Sequence, residues 1–416
     1  MNFMARLIRK FFYYMSYLIS APAACCIVLI FPFLKIRFVK LHSDRIGHYS
    51  LNTELLLCTL DTVSSLKKKK YLFYVCSSYV PICNTQLHAM WKRVMPIFPY
   101  AEIAAQLDWL LSCMLGCSYT KDMIKMTFER NSGVNDVNGL LEKNPTPHLR
   151  FSSQEIERGE QSLIQLGISS GAKFICLMAR DAGYLKKHLP DNDWSYHGFR
   201  NVDVMSYKKA ALYLAEKGYY VVRMGKHVEK EFSVQHPRVI DYAMSSMRSD
   251  FMDIYLLSKC YFFITTSTGI DCVPQIFRRP GVFTNIVLPG ELLTWYPNRL
   301  FIPKRIKDRL TGKFLSFNEI YNALTENKHI KPRIADVLKK RNLEVVDNTE
   351  DELLEVVKEM EKTMSGELYA EKNNEEPDQF WNIFPGELMT GVNEPVYSKN
   401  IKIRLGEDFL RKINGM

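Results

Sequence analysis

Residues 174–179, Phe-Ile-Cys-Leu-Met-Ala, form an unbroken apolar run closed by Arg180. A strand that is apolar at every position has no wet face. It needs cover on both sides, which is the condition of a parallel sheet between two layers of helices. The pattern recurs downstream, with apolar runs at 219–222 and 261–264 and shorter ones at 239–240 and 282–284. Helical signals lie between them. Ser206 caps a segment carrying Tyr207, Ala210, Ala211 and Leu214 on one face and ending at Gly218, and Ser249-Asp250 opens another bearing Phe251, Ile254 and Leu257. Strands alternating with helices predict a doubly wound α/β sheet.

The front of the chain follows the same logic. Residues 35–41 alternate apolar and basic, a strand of period two. The loop Asp44-Arg45-Ile46-Gly47-His48 follows, then a helical stretch over 51–61, a strand over 71–76, and helical segments near 84–93 and 103–115. Between 131 and 150 Asn, Gly and Pro dominate, which marks a linker. Ser152-x-x-Glu155 and Thr349-x-x-Glu352 are capping boxes that each open a helix, and 405–413 reads as a short closing helix. The expected division is an apolar leading segment 1–34, an α/β unit 35–130, a linker 131–150, a Rossmann-like unit 151–330, and C-terminal helices and tail 331–416 packing back on both.

The net charge of +10 is unevenly placed. No acidic residue precedes Asp44, but Arg6, Arg9, Lys10, Lys35, Arg37 and Lys40 do, so the remaining 49 basic and 45 acidic residues leave the body at only +4. A nearly balanced body argues against nucleic acid as a partner. Between Lys10 and Lys35 stand 24 uncharged residues, enough for a membrane helix, but Pro22 and Pro32 interrupt them and cations flank both sides. Four dispositions stay open: a helix or hairpin lying in the membrane interface, a single span, a cleaved leader, or a buried first helix. Monotopic attachment to an anionic membrane surface is the expectation. Ten cysteines form no CxxC pair and no zinc-type cluster with histidine, and read as buried thiols of a reducing compartment.

Ligands of open parallel sheets bind beyond the carboxyl ends of the strands. Those ends deliver Arg180, Asp181, Gly183 and Tyr184, then Arg223, Gly225 and Lys226, then Thr265, Thr266, Ser267, Thr268 and Gly269 ahead of a helix. Arginine offers two-point contact to phosphate oxygens, and small residues at a helix start let an anion approach free N–H groups. The set suits a diphosphate. No Walker A sequence and no GxGxxG after a strand is present, which sets aside P-loop and dinucleotide readings. Asp271 is placed either to accept from ribose hydroxyls or only to complement the helix dipole. For Arg180 the structural alternative is an ion pair with Asp181 or Asp203. His48, with Arg45 and Gly47 on the front loop, faces the same cleft if the two units oppose, and titrates near neutrality as a general base must. There is no acidic triad of metal type, so no metal and no cofactor besides a nucleotide substrate is expected.

The strings MARDAGY (178–184), FRNVD (199–203), YYVVRMGK (219–226), DYAMSSMRSDFMDIYLLSKC (241–260) and TTSTGIDCVPQIFRRPGVFTN (265–285), with RIGH (45–48) and RLGEDFL (404–410), resemble a bacterial family of glycosyltransferases associated with surface-polysaccharide synthesis. The likeness covers nearly the whole chain from about residue 35. It implies a GT-B fold, two Rossmann-like domains facing a cleft, with the donor held mostly by the C-terminal one and no essential metal. A looser likeness to fucosyltransferase-type enzymes rests on Arg180, on 250–260 and on Ser267-Thr268, with Met178 where those enzymes carry His. The resemblance implies transfer of a hexosyl or deoxyhexosyl unit from a nucleotide-sugar to a lipid-linked or glycan acceptor, at the cytoplasmic face of the inner membrane. The donor residues expected are Arg180, Tyr184, Arg223, Lys226, Ser267, Thr268, Gly269 and Asp271, and Arg45, Gly47 and His48 stand on the acceptor side. If the reaction inverts, His48 or Asp181 is the base, while Arg180 meets the leaving diphosphate. Two rivals share the pattern: a nucleotide-sugar epimerase and a non-catalytic membrane-bound scaffold.

Overall fold

The computed structural model describes residues 3–63, 69–116, 136, 139–188, 193–287, 292, 298–325, 334–367 and 402–414. Residues 131–135 and 137–138 of the expected linker, 368–401 of the expected tail, and Cys117 lie outside the described residues. The front part runs α1 (Phe3–Ile30), β1 (Ile36–Leu41), α2 (Thr53–Thr62), β2 (Lys70–Val75), α3 (Thr85–Val94), β3 (Ile97–Phe98) and α4 (Ala101–Leu115). Then come α5 (Ser153–Gln165), β4 (Phe174–Met178), α6 (Gly183–His188), α7 (Lys208–Glu216), β5 (Tyr220–Arg223), β6 (Val239–Ile240), α8 (Asp250–Lys259), β7 (Phe263–Thr265), α9 (Cys272–Ile276), β8 (Gly281–Ile286) and β9 (Arg299–Pro303). The chain closes with β10 (Arg305–Asp308), α10 (Phe317–Thr325), α11 (Ile334–Lys340), β11 (Leu343–Val346), α12 (Glu350–Ser365), β12 (Arg404–Leu405) and α13 (Glu407–Asn414).

Seven strands form one parallel sheet in the order β12-β9-β8-β7-β4-β5-β6. Read from β6, the first six follow the doubly wound order 3-2-1-4-5-6, so the direction of growth reverses between β4 and β7. β4 is buried at every position, as its apolar run requires. Both capping boxes form: Ser152 with Glu155 starts α5, and Thr349 with Glu352 starts α12. α7 packs on β5, α8 on α9, and α12 packs against α7, β8 and β9.

The front unit is smaller than a second doubly wound domain. Among the described residues its sheet has three parallel strands, β1-β2-β3. Adjacent residues point to opposite faces: Phe38 and Tyr74 pack with α1 and α4, while Val39, Leu41 and Phe73 join the main core. That core is continuous from Leu55 and Trp91 through to Ile175, Val222 and Phe263, so the two units share packed apolar side chains. The free cysteines only partly follow expectation. Cys58, Cys176, Cys260 and Cys272 are buried, but Cys25, Cys26 and Cys113 are exposed. The single-span reading of 11–34 is not met, since among the described residues no helix is long and apolar enough to cross a membrane.

Charged side chains close the seam between the units. Glu54 on α2, wholly buried, lies 2.8 Å from the Arg278 guanidinium and 3.1 Å from His148 Nδ1, and His148 Nε2 lies 2.8 Å from Asp61. Burial alone would lower the His148 pKa, but its bonds to Cys58, Glu54 and Asp61 raise it to about 10. Removing one member of a buried pair strands the other charge, at about 3–5 kcal/mol. Glu54→Gln should therefore lower unfolding free energy by about that amount in urea titrations. The folded-state pKa of His148 exceeds its ordinary 6.5, so its contribution is complete below about 6.5 and is lost as pH rises towards about 10. The difference in stability between the native chain and His148→Gln should shrink across that window, by at most about 1.4 kcal/mol per pH unit.

Candidate functional site

At the reversal point β4 and β7 are hydrogen-bonded, with Met178 opposite Thr265. Beyond that pair the chains diverge, and side chains and main chain bridge the gap. Arg180 N donates to Thr266 Oγ1 at 2.8 Å, Thr266 N to Met178 O at 3.1 Å, and Val202 N to Arg180 O at 2.9 Å. The backbone of Arg180 is thus gripped from two sides, which fixes where its side chain begins.

The Arg180 guanidinium is half-buried, and its Nε has no hydrogen-bond partner. Burial, then the nearby Arg200, push its pKa down to about 10, against the opposing pull of Asp271 and Asp181. It stays fully charged at neutral pH. Arg200, at the end of a 3-10 turn over Ser195–Arg200, donates from Nη2 to Ser267 O at 3.1 Å. Among the described residues neither arginine makes an ion pair with a carboxylate. The two cations repel each other and Arg180 is partly desolvated, an arrangement an anion would relieve. Arg200, but not Arg180, lines a cavity of about 190 Å³ whose wall includes Tyr196, His197, Phe199, Thr266, Ser267 and Asn285. Ser267 and Asn285 both sit in left-handed backbone, with φ of 58° and 55°. For serine that conformation is strained, a feature concentrated at functional loops.

The other expected residues divide sharply. Ser267, Thr268 and Gly269 stand at the reversal point with Arg180. Arg223 does not reach it, because its guanidinium, 1% exposed, pairs with Asp241 Oδ1 at 3.1 Å and donates to Lys230 O at 3.1 Å. Lys226 is likewise engaged: its Nζ donates to Cys83 O at 3.1 Å and lies 3.6 Å from Asp250, across the seam. Asp181 accepts from Gly183 N and Glu229 N, each at 2.9 Å, one on each oxygen, so it is a loop clamp and not a waiting base. Asp271 is buried and accepts from Thr265 Oγ1 and Thr268 N, both at 2.9 Å, and burial raises its pKa to about 6. It shapes the loop from inside, with its carboxyl turned to loop donors and almost closed off from solvent.

The front loop docks on this region. A Cβ at Gly47 would stand 2.9 Å from Gly269 O and 3.2 Å from Gly269 Cα. Beside it, Arg45 is exposed and lies 3.7 Å from Asp44, and His48 Nδ1 is 3.1 Å from Asn52 Nδ2. The Tyr184 ring lies 4.4 Å from that of His188, tilted by 38°, and His188 lies 4.9 Å from His227, a cluster the sequence did not announce. Burial, then Cys83 and Asp44 of the front unit, raise the Tyr184 pKa, which places the cluster beside the seam. Arg200 was also missed, although it lies inside the FRNVD string. Of metal-type donors, Glu54, Cys58 and His148 gather within 4.8 Å, but the Arg278 guanidinium already contacts Glu54 and Cys58 there.

No protein-family model matches the sequence, and no curated protein matches it. Among solved structures, the chain is similar to a glycosyl transferase family 9 protein from Veillonella parvula DSM 2008, with TM-score 0.44 and 11% identity, covering 80% of this chain and 98% of that one. It is similar to the E. coli ADP-heptose LPS heptosyltransferase II, with TM-score 0.38 and 13% identity over 74% and 98% of the two chains. It is also similar to the E. coli heptosyltransferase WaaC solved with ADP, with TM-score 0.30 and 12% identity over 71% and 98%. None of the three is a fucosyltransferase, and the looser likeness gains nothing from them.

The contact of Gly47 with Gly269 gives a sharp test. A methyl at 47 meets backbone that cannot swing aside, so Gly47→Ala should destabilise the fold by about 1–3 kcal/mol in urea unfolding. Gly269→Ala should be nearly silent, since nothing lies nearer than 3.8 Å to its Cβ position.

Proposed function

We propose that this chain is a glycosyltransferase of GT-B type that moves a sugar from a nucleotide-sugar donor to a lipid-linked or glycan acceptor in surface-polysaccharide synthesis. The observation that carries the reading is the pair Arg180 and Arg200, held at the point where the sheet reverses without a carboxylate partner among the described residues. The resemblance of the strings around both residues to surface-polysaccharide glycosyltransferases supports the same reading. In glycosyl transfer the leaving group is a nucleoside diphosphate, and negative charge grows on it as the glycosidic bond breaks. Two guanidiniums already fixed by the fold stabilise that charge without reorganising at the moment of reaction. The neighbouring cavity, with Tyr196, His197 and Phe199 along its wall, suits the flat face of a nucleobase or the ring of a sugar. His48 remains the residue proposed to take the acceptor proton. It stands on the loop whose Gly47 touches Gly269, beside the donor side.

Thermal-shift measurements across ADP-, GDP- and UDP-sugars should single out one donor class. At a concentration one hundred times Kd, stabilisation should approach about 2.7 kcal/mol. Arg180→Ala should abolish that shift and lower kcat/KM by about 100- to 1000-fold, the scale seen when one charge-stabilising donor is removed from an active site. An equal shift in Arg180→Ala and the native chain would refute the reading.

A further inference from the structure

α1 is largely apolar on both sides. Towards the protein Ala24, Ile27 and Val28 pack with Ala104 and Leu107 of α4, and among them Ser16 and Ser20 are buried and bond to Gln106, with Ser20 Oγ donating to Gln106 Oε1 at 3.0 Å and Gln106 Nε2 to Ser16 Oγ at 2.5 Å. Its outward side is apolar. Leu18 is 68% exposed, Leu29 76%, and Phe33 just past the helix end 92%. α4 adds Trp109, 57% exposed and edge-on to Tyr17 at 6.4 Å, and Met114, 48% exposed. Isolated exposed apolar side chains are ordinary, but a stripe from Phe11 to Ile30, about 30 Å at 1.5 Å per residue, marks an interaction surface.

We propose that this face, the outer side of α1 with Trp109 and Met114 of α4, docks in the plane of an anionic lipid bilayer. Charge selects the occupant. The first 43 residues hold six basic residues and no acidic one, so two copies of the helix laid together would repel, whereas anionic headgroups attract it. The fold selects the posture. One flank of α1 is hydrogen-bonded to α4 through Gln106, so lipid cannot surround the helix as it would a span. An apolar face sunk to the headgroup boundary, cations at its ends, and a tryptophan at its edge satisfy both constraints. The inference stands apart from the transferase reading, because it uses no residue of the cleft.

Flotation of the full chain with phosphatidylcholine vesicles, with and without added phosphatidylglycerol, tests it. Binding should require the anionic lipid and fall about ten-fold or more in Leu18→Glu/Leu29→Glu and in Arg6→Ala/Arg9→Ala/Lys10→Ala. Because those variants could alter folding, a second readout uses the unsubstituted helix. Brominated acyl chains should quench tryptophan emission, and Trp109→Phe should remove most of that quenching. Equal binding to neutral vesicles, undiminished binding by Leu18→Glu/Leu29→Glu, or absence of quenching at Trp109 would overturn the proposal. So would a stable dimer in solution that the same double substitution dissolves, which would assign the face to a second copy of the chain.

Discussion

The pairing of β4 with β7 governs the rest of the molecule, because these two strands lie side by side while the chain that follows each turns away from the other. Parallel strands end on the same edge, so the main chain opens a crevice there and leaves polar groups without ladder partners. The fold closes that gap with Thr266, which accepts from Arg180 N and donates its own N–H to Met178. A side-chain hydroxyl replaces a missing rung of the sheet. As a result the Cα of Arg180 is as rigid as a strand residue, although Arg180 lies outside the strand.

That rigidity matters energetically. A flexible arginine in a cleft would rotate into water or towards the nearest acid, here Asp181 or Asp271. Asp181 is held by Gly183 and Glu229, and Asp271 by Thr265 and Thr268. Both acids are committed to backbone or hydroxyl donors that fix the loops. They still steady Arg180 through space, but they form no contact pair with it. The carboxylates nearest the crevice thus shape it without neutralising it, and the positive charge stays available to a ligand.

Much of this layout was legible in the sequence, for reasons that can be named. The apolar run at 174–179 could only be a doubly covered strand, and the capping boxes at 152 and 349 announced helix starts through local chemistry. That Arg180 and Ser267–Gly269 stand at one edge was legible because parallel strand ends converge there. The same rule misplaced Arg223 and Lys226. A cation after a strand looks alike whether it waits for a ligand or meets a protein carboxylate, and the partners Asp241 and Asp250 come into register only through folding. Arg200 was missed for the opposite reason: it sits on a 3-10 turn with no strand before it, so nothing local points its side chain at the crevice. The size of the front sheet and its continuous core with the rear one were hidden as well, since helix faces do not reveal which neighbour covers them.

Set side by side, several buried or half-buried cations meet carboxylates, while others bond to neutral oxygens, as Arg279 does to Ser258 O and Arg299 to Gln275 Oε1. Arg223, Arg248, Arg278 and Lys304 each lie within 3.1 Å of a carboxylate oxygen, and these pairs tie loops or units together. Arg180 and Arg200 have no such neighbour and stand together. Stability alone would not favour that exception, since a second carboxylate in the crevice would relieve both charges at once. Arg180 and Arg200, adjacent at the reversal point with no carboxylate in contact among the described residues, are the pair on which the proposed diphosphate site rests. On the proposed reading the crevice, more than the seam or the front loop, is where the donor's diphosphate meets the protein.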